Sequence, residues 1–210
     1  MARYTGPVCR ICRRYGEKLM LKGDKCVTKC TLDKRGTPPG EPAKGGGRRR
    51  KLSDRALQLR EKQKARYSYG VLEKQFVHYY EDAVRLPGVT GENLVRMLEM
   101  RLDNIIHKMG FADSLKQARQ LVRHGQIMLN GRKTDVPSAR TKAGDVIGWT
   151  PTGKKTEYFK IAKENMSNKH IPGWLSVDPD QMTGRIVSPP AVGETGGKFD
   201  PAVIVEYYSR

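Results

Sequence analysis

The 210-residue chain carries 40 Lys and Arg against 22 Asp and Glu, a formal net charge of +18 with 37% hydrophobic residues. That is too apolar for a wholly disordered chain, and long enough to bury a core as one large or two modest domains. No apolar run of 18 residues could span a bilayer and no basic amphipathic helix pairs with bulky exposed aromatics, so nucleic acid is expected over membrane as the polyanionic partner.

The amino terminus, residues 1–4, has no apolar signal segment, and a reducing cytosol is the expected compartment. Residues 1–70 hold 20 Lys and Arg against 6 Asp and Glu, so most of the net charge lies in the first third. All four cysteines lie there too, as Cys9-x2-Cys12 and Cys26-x3-Cys30 with thirteen residues between. Four soft thiolates in two close pairs suit one structural tetrahedral Zn²⁺ site with no open position. Disulfides in any of three pairings, or unbonded structural cysteines, are the alternatives, and iron in place of zinc stays open. The reducing compartment favours metal, and Val8, Ile11, Leu19, Leu21 and Val27 are too few to fold the segment without one.

Around these ligands stand Arg3, Arg10, Arg13, Arg14, Lys18, Lys22, Lys25 and Lys29, which a metal-stapled knuckle would hold against a phosphate backbone. Pro38-Pro39-Gly40 and Gly45-Gly46-Gly47 then break regular structure before Arg48, Arg49, Arg50 and Lys51. Such a run is either a solvated tail or an arm for an RNA groove.

The pattern predicts a helix over 53–67, with Ala56, Leu59 and Gln63 inward, Arg55, Arg60, Lys62, Lys64 and Arg66 outward, and Gly70 ending it. A second, over 71–86, places Phe76, Tyr79, Tyr80, Ala83 and Val84 in the core and stops at Pro87-Gly88. Thr90 is a candidate N-cap for the helix that carries Leu94 onward.

The densest pattern lies at 98–149. Leu98, Leu102, Ile105, Ile106 and Met109 form one apolar stripe, predicting a single helix that ends near Gly110. Ser114 and Gln117 make a capping box for a second helix that buries Leu115, Ala118, Leu121 and Val122 and stops at Gly125. Its other face is Lys116, Gln117, Arg119, Gln120, Arg123 and His124. Ile127 and Leu129 lead into Asn130-Gly131, a hairpin signal whose return arm opens with Arg132 and Lys133, and 145–149 offers another strand. Arg, Lys, Gln and His gathered this way suit phosphates and RNA hydroxyls, although a basic helix face is also simply solvated. Asp103 and Asp113 fall at helix ends and read as caps. Beyond lie a turn at 151–153, a short helix near 158–166 and strands at 174–177, 185–187 and 203–207, with Trp149 and Trp174 as packing residues. The milder charge of this last part suits scaffold and protein contact.

No carboxylate pair, nucleophile–His set or Gly-rich phosphate loop stands out, and His78, His107, His124 and His170 are scattered, so an enzyme is not expected. A pseudouridine synthase or tyrosyl-transfer-RNA synthetase borrowing an RNA-binding module would need a catalytic domain as well. A zinc-finger DNA regulator would need a recognition helix at 13–25, which is too interrupted by glycine.

Arg101-Leu102-Asp103-Asn104, Gly110-Phe111-Ala112, Ser114, Ala118-Arg119-Gln120-Leu121-Val122, His124-Gly125, Asn130-Gly131 and Val136-Pro137-Ser138 resemble the RNA-binding module named for ribosomal protein S4. With the cysteine pairs, Leu57-Gln58-Leu59-Arg60-Glu61-Lys62-Gln63-Lys64 and the tail Val205-Glu206-Tyr207-Tyr208-Ser209-Arg210, the chain resembles the bacterial ribosomal S4 family, in its zinc-bearing form, over essentially its whole length. The resemblance implies an α+β fold: a mainly helical N-terminal domain with a zinc knuckle, then an S4-type RNA-binding domain of two helices and a small antiparallel sheet. The expected divisions are 1–45 for the knuckle and basic loop, 46–97 for the helical part, 98–160 for the RNA-binding domain, and 161–210 for a C-terminal helix and strands packing back on the N-terminal domain. It further implies a cytoplasmic constituent of the small ribosomal subunit that binds small-subunit ribosomal RNA at a multi-helix junction and nucleates assembly. Ribosomal protein S5 and messenger RNA where it enters the subunit are the other implied partners, with an influence on translational accuracy and, in some members, repression of the protein's own messenger RNA. No membrane and no small-molecule substrate are expected. Two positions depart from the family pattern: the Cys26–Cys30 spacer is one residue tighter, and Glu41-Pro42-Ala43 stands where the family has Gln-His-Gly.

Overall fold

The computed structural model describes residues 4–40, 51–166, 169–191 and 199–209. The chain divides into two compact units, Met1–Leu94 with Gly196–Arg210, and Val95–Thr195. The expected divisions therefore shift: the strands near 175–186 belong to the second unit, and only the carboxyl-terminal segment returns to the first.

The first unit is helical. It opens with short α1 (Cys9–Tyr15), α2 (Asp24–Thr28) and α3 (Thr31–Lys34), and a small core of Val8, Ile11, Cys12, Tyr15 and Leu19 has Leu21 and Tyr67 packed against it. Ser53 caps α4 (Asp54–Ser68), its hydroxyl accepting from the Ala56 amide at 3.3 Å. The buried face of α4 is not the expected one. Gln58, Lys62 and Ala65, spaced i, i+4, i+7, turn inward with Lys64, while Leu59 is 38% exposed and Leu57 is exposed too. Lys62, expected on the outer face, is 3% exposed. The cause is a polar contact that sequence periodicity does not register: Lys62 Nζ lies 2.5 Å from Glu73 Oε1 on α5 (Glu73–Arg85) and 4.9 Å from the Tyr207 ring centroid.

Tyr207 lies on α11 (Pro201–Tyr208), which packs on α4; the strand expected at 203–207 is this helix. Asp200 caps it, accepting from the Ala202 amide at 2.8 Å, and Pro201 occupies the first turn where its missing N–H costs nothing. Ile204 is fully buried, and Tyr208 stacks on Tyr80 at 4.7 Å while donating to Glu73 at 2.9 Å. On α5, Phe76, Tyr79 and Ala83 are buried as expected, but Val84 is exposed. Asn93, on α6 (Thr90–Glu99), donates to the Leu86 and Pro87 carbonyls. Thr90 is the first residue of α6, not its cap, and the boundary between the units falls within this helix.

The second unit sets α7 (Leu102–Lys108) and α8 (Leu115–Arg123) in one core with a five-stranded antiparallel sheet. Its strands are β1 (Ile127–Leu129), β2 (Arg132–Lys133), β3 (Val146–Trp149), β4 (Leu175–Asp178) and β5 (Thr183–Ile186), in the order β2-β1-β3-β5-β4. Short α9 (Pro151–Lys154) and α10 (Glu157–Glu164) follow β3. Leu102, Ile105, Ile106, Met109, Val122, Ile127, Ile147, Trp149, Trp174 and Ile186 form the centre of the core. Gly184 keeps β5 open to Met109: a Cβ there would meet the Met109 sulfur at 2.5 Å.

All five residues of the apolar stripe from Leu98 to Met109 are fully buried, yet the single helix expected there is two. The break is at Met100 and Arg101. Arg101 forms an isolated bridge with Arg140, the Leu102 amide donates to the Ala139 carbonyl at 3.0 Å, and the Thr141 amide to the Met100 carbonyl at 3.1 Å. Arg101, 1% exposed, meets Asp103 through two bonds, Nε to Oδ1 at 3.0 Å and Nη2 to Oδ2 at 2.8 Å. Arg119 approaches the same carboxylate at 3.6 Å from α8. Asp103 is thus the hub of a buried ion cluster, and its carboxylate also accepts from the first-turn Asn104 amide at 3.0 Å.

Two stability predictions follow from this packing. Asp103→Ala leaves two buried guanidinium groups facing an empty space, and urea denaturation should show a loss of about 3–5 kcal/mol. Burial pushes the His107 imidazole below its ordinary value, outweighing its hydrogen bond with the Ala112 carbonyl, and the Lys108 and Lys169 charges add to the depression. The unfolded chain therefore takes up a proton that the folded chain refuses, so stability falls as pH drops below about 6.5, the unfolded value. His107→Gln should flatten that part of a melting-temperature profile.

Candidate nucleic-acid interface

Ser114 starts α8, its hydroxyl accepting from the Gln117 amide at 3.4 Å, and Gln117 Oε1 accepts from the Asp113 amide at 3.1 Å. The reciprocal cap is one residue wider than the usual box and occupies Gln117 with holding the helix start. Asp113 itself takes Lys169 at 2.5 Å. Ala118, Leu121 and Val122 face the core, so Lys116, Gln120, Arg123 and His124 remain on the outer face. Arg119 leaves that face for the Asp103 cluster, and its side chain is 7% exposed. It is a structural residue, which corrects its expected place on the RNA-facing side.

The hairpin adds to this surface. Asn130 and Gly131 adopt φ of +51° and +76°, the paired left-handed geometry of a tight hairpin turn, and Asn130 fixes it by accepting from the Val146 amide and donating to Asp145, each at 2.8 Å. Arg132 and Lys133 are exposed on β2. Gly125 ends α8 at φ +65°, and a Cβ there would collide with the Lys133 side chain, so Lys133 lies across the carboxyl-terminal end of α8. The partial negative charge of a helix end favours cations in that place.

The sequence reading missed Lys154 and Lys155 beside the same end. Thr150 donates from its amide to the Gln126 carbonyl at 2.9 Å and from its hydroxyl to the Gly125 carbonyl at 3.3 Å. A Cβ on Gly153 would meet the Gln126 carbonyl at 2.6 Å. The start of α9 is thereby pinned to the residues just after α8, and both lysines are exposed. The available signal was Thr150-Pro151, an N-cap followed by a first-turn proline. Among the described residues no carboxylate pairs with Arg123, His124, Arg132, Lys133, Lys154 or Lys155.

In the first unit fewer of the expected cations remain available. Arg10 and Arg14 are exposed on α1. Arg13 Nε donates to the Thr37 carbonyl at 2.9 Å, Lys18 pairs with Asp33 at 2.7 Å, and Lys62 is buried. Arg66 meets Glu73 at 3.5 Å and lies 4.6 Å from the Tyr67 ring centroid. Arg3, Arg48, Arg49 and Arg50 lie outside the described residues.

Cys9, Cys12, Cys26 and Cys30 are free thiols, Cys12 and Cys26 buried and the other two half-buried. Burial pushes the Cys12 thiol up, the Leu19 backbone hydrogen bond opposes it, and the neighbouring Cys26, Cys9 and Cys30 sulfurs push it further up. The Lys22 amide donates to Cys26 Sγ at 3.3 Å, a bond that also suits a thiolate. Four soft donors therefore share one neighbourhood, which fits the chemistry of a structural zinc. As they stand, no three His, Cys, Asp or Glu side chains among the described residues converge into a ready-made metal site.

Residues 3–99 match the family described as ribosomal protein S4/S9 N-terminal domain, and residues 100–147 match the S4 domain. The two matches meet at the break between α6 and α7. Over its full length the chain is similar to proteins named small ribosomal subunit protein uS4. It is 52% identical to that of Dehalococcoides mccartyi over 210 residues, and 49% and 48% identical to those of Pelotomaculum thermopropionicum and Heliobacterium modesticaldum over 211. Each match covers 100% of both chains.

Gly125→Ala should cost about 1–2 kcal/mol in urea denaturation, the usual penalty for a side chain in left-handed backbone. It should also shift the amide resonances of Lys133 and Thr150, and unchanged resonances would mean that the end of α8 does not organise the cationic surface.

Proposed function

This chain belongs to the ribosomal protein S4 family, and from that premise we propose that it is a structural constituent of the small ribosomal subunit, working in the cytoplasm by binding small-subunit ribosomal RNA. The observation that carries this reading is the exposed cationic surface built by Arg123, His124, Arg132, Lys133, Lys154 and Lys155 on a rigid module, with no acid set against it among the described residues. Cations held in place release counterions from RNA without losing much side-chain freedom of their own. The grooves of duplex RNA present little readable sequence to a helix, so a rigid array of this kind selects by the shape of converging strands.

The proposal extends to the finer roles that the family resemblance implies: gripping a multi-helix junction early in assembly, contacting ribosomal protein S5, lying beside the messenger RNA where it enters, and influencing accuracy. It makes the protein a scaffold and not an enzyme. It also gives Cys9, Cys12, Cys26 and Cys30 one Zn²⁺, which would cross-link the short helices of the first unit and order their arginines.

Filter binding to small-subunit ribosomal RNA and to an equally long unrelated RNA, over a salt series, tests the reading. A preference that survives high salt is expected; equal, salt-sensitive binding to both would overturn it. Arg123→Ala and Arg132→Ala should each reduce the slope of log affinity against log salt by about one. Lys62→Met and Arg119→Met should leave that slope alone and lower the urea midpoint. Metal analysis of the purified protein should find one zinc per chain. A chelator should then remove amide protection from α1 to α3 alone, and unchanged protection would refute a metal staple.

A further inference from the structure

The first unit holds a cavity that the surface around α8 does not involve. Its volume is about 320 Å³, and Tyr4, Arg10, Ile11, Arg14, Tyr15 and Tyr67 line it. Ligand pockets run from roughly 300 to 1,000 Å³, so this one has room for a ligand no larger than about one nucleotide.

The aromatic wall is held in place. Tyr15 is buried, the Arg60 guanidinium lies 5.6 Å from its ring centroid, and Arg60 also donates to the Tyr15 backbone carbonyl. Arg66 lies over the Tyr67 ring, and Tyr4 meets Tyr67 edge-on with centroids 5.6 Å apart at 74°. Gly6 makes room for the Tyr4 ring, since a Cβ there would stand 2.6 Å from the Tyr4 hydroxyl.

Among the described residues, Arg10 and Arg14 beside the cavity are left without acids, while several cations elsewhere in the unit are matched. Lys18 has Asp33, Lys62 and Arg66 share Glu73, and Lys64 has Glu17 and Glu61. Arg10 and Arg14, one turn apart on α1, meet no carboxylate among the described residues. A concave site with three tyrosine rings and two unmatched guanidinium groups suits a flat aromatic ring joined to an anion.

We propose that this cavity is a pocket for one unstacked nucleotide of an RNA, its base against Tyr4 and Tyr67 and its phosphate between Arg10 and Arg14. The inference rests on the RNA-binding reading above. Arginine forks match phosphate oxygens, and base stacking on tyrosine is tolerant of base identity, so the pocket selects an unpaired nucleotide and not a sequence. A base inside a duplex has both faces covered and cannot enter.

The test compares an RNA hairpin bearing one bulged 2-aminopurine with the same hairpin lacking the bulge, both bound to the full chain. Wild-type protein should bind the bulged hairpin about tenfold more tightly and change its 2-aminopurine fluorescence. Tyr4→Ala and the pair Arg10→Gln with Arg14→Gln should abolish the preference, whereas Arg123→Ala should weaken both hairpins alike. Tyr67→Phe keeps a stacking face and should retain the preference, which separates loss of the pocket from loss of the fold. Equal wild-type affinity for the two hairpins overturns the pocket while leaving the RNA-binding reading intact. Failure to bind either hairpin overturns the pocket, and the filter binding to small-subunit ribosomal RNA then decides the RNA-binding reading separately. Reversal of the fluorescence change by adenosine monophosphate at the concentration of the RNA would assign the pocket to free nucleotides and overturn the RNA subsite.

Discussion

The carboxylate of Asp103 organises the second unit. It takes two bonds from Arg101, a third approach from Arg119, and accepts from the Asn104 amide at 3.0 Å. Three charges this deeply buried are stable only because each is satisfied by the others. The cluster breaks what would be one helix into α6 and α7, because Arg101 must leave helical geometry to reach both Asp103 and the strand-like segment at Arg140. It also ties α7 to α8 by a contact that has direction, where apolar packing alone would permit sliding. The outer face of α8 is therefore presented at a fixed angle to the hairpin, and Lys133 finds its place over Gly125.

A chain with a net charge of +18 has to distribute few acids among many cations. The distribution is uneven, and its unevenness is informative. In the first unit Glu73 serves Lys62, Arg66 and the Tyr208 hydroxyl; although burial raises its carboxyl, the Lys62 and Tyr208 hydrogen bonds prevail and hold it below the ordinary carboxylate range. That three-way contact joins α4, α5 and α11, and the aromatic stack of Tyr208 on Tyr80 and Phe76 completes it. Cations matched in this way serve the fold. Others that meet no carboxylate among the described residues lie on the outer side of α8, on the hairpin and at the tyrosine-lined cavity, where a polyanion would relieve their mutual repulsion.

The fold itself was partly legible. The Asn130-Gly131 turn, the Ser114 start of α8, the Gly125 stop and the buried stripe from Leu98 to Met109 are local signals, each fixed by backbone sterics or by spacing within one or two turns. Val203, Ile204, Val205 and Tyr207 favour β structure by type and so read as a strand, whereas Asp200-Pro201 and the surface offered by α4 and α5 decide for the helix at 201–208. The inward face of α4 is not legible locally, because its apolar residues, Leu57 and Leu59, are not the ones that find partners.

Residue types and their spacing determined the charge, the turns, the basic side of α8 and the family resemblance that implied the α+β class, since all of these act within a few residues or sum over the chain. Which cations stay free was decided only by tertiary structure. Arg119 and Arg123 are both arginines on one short helix, yet one is buried against Asp103 and the other faces solvent. Lys62 is held by Glu73, and Lys154 and Lys155 are brought beside Gly125 by Thr150. A buried charge needs a partner at hydrogen-bonding distance, and that partner comes from another element whose position no local pattern encodes.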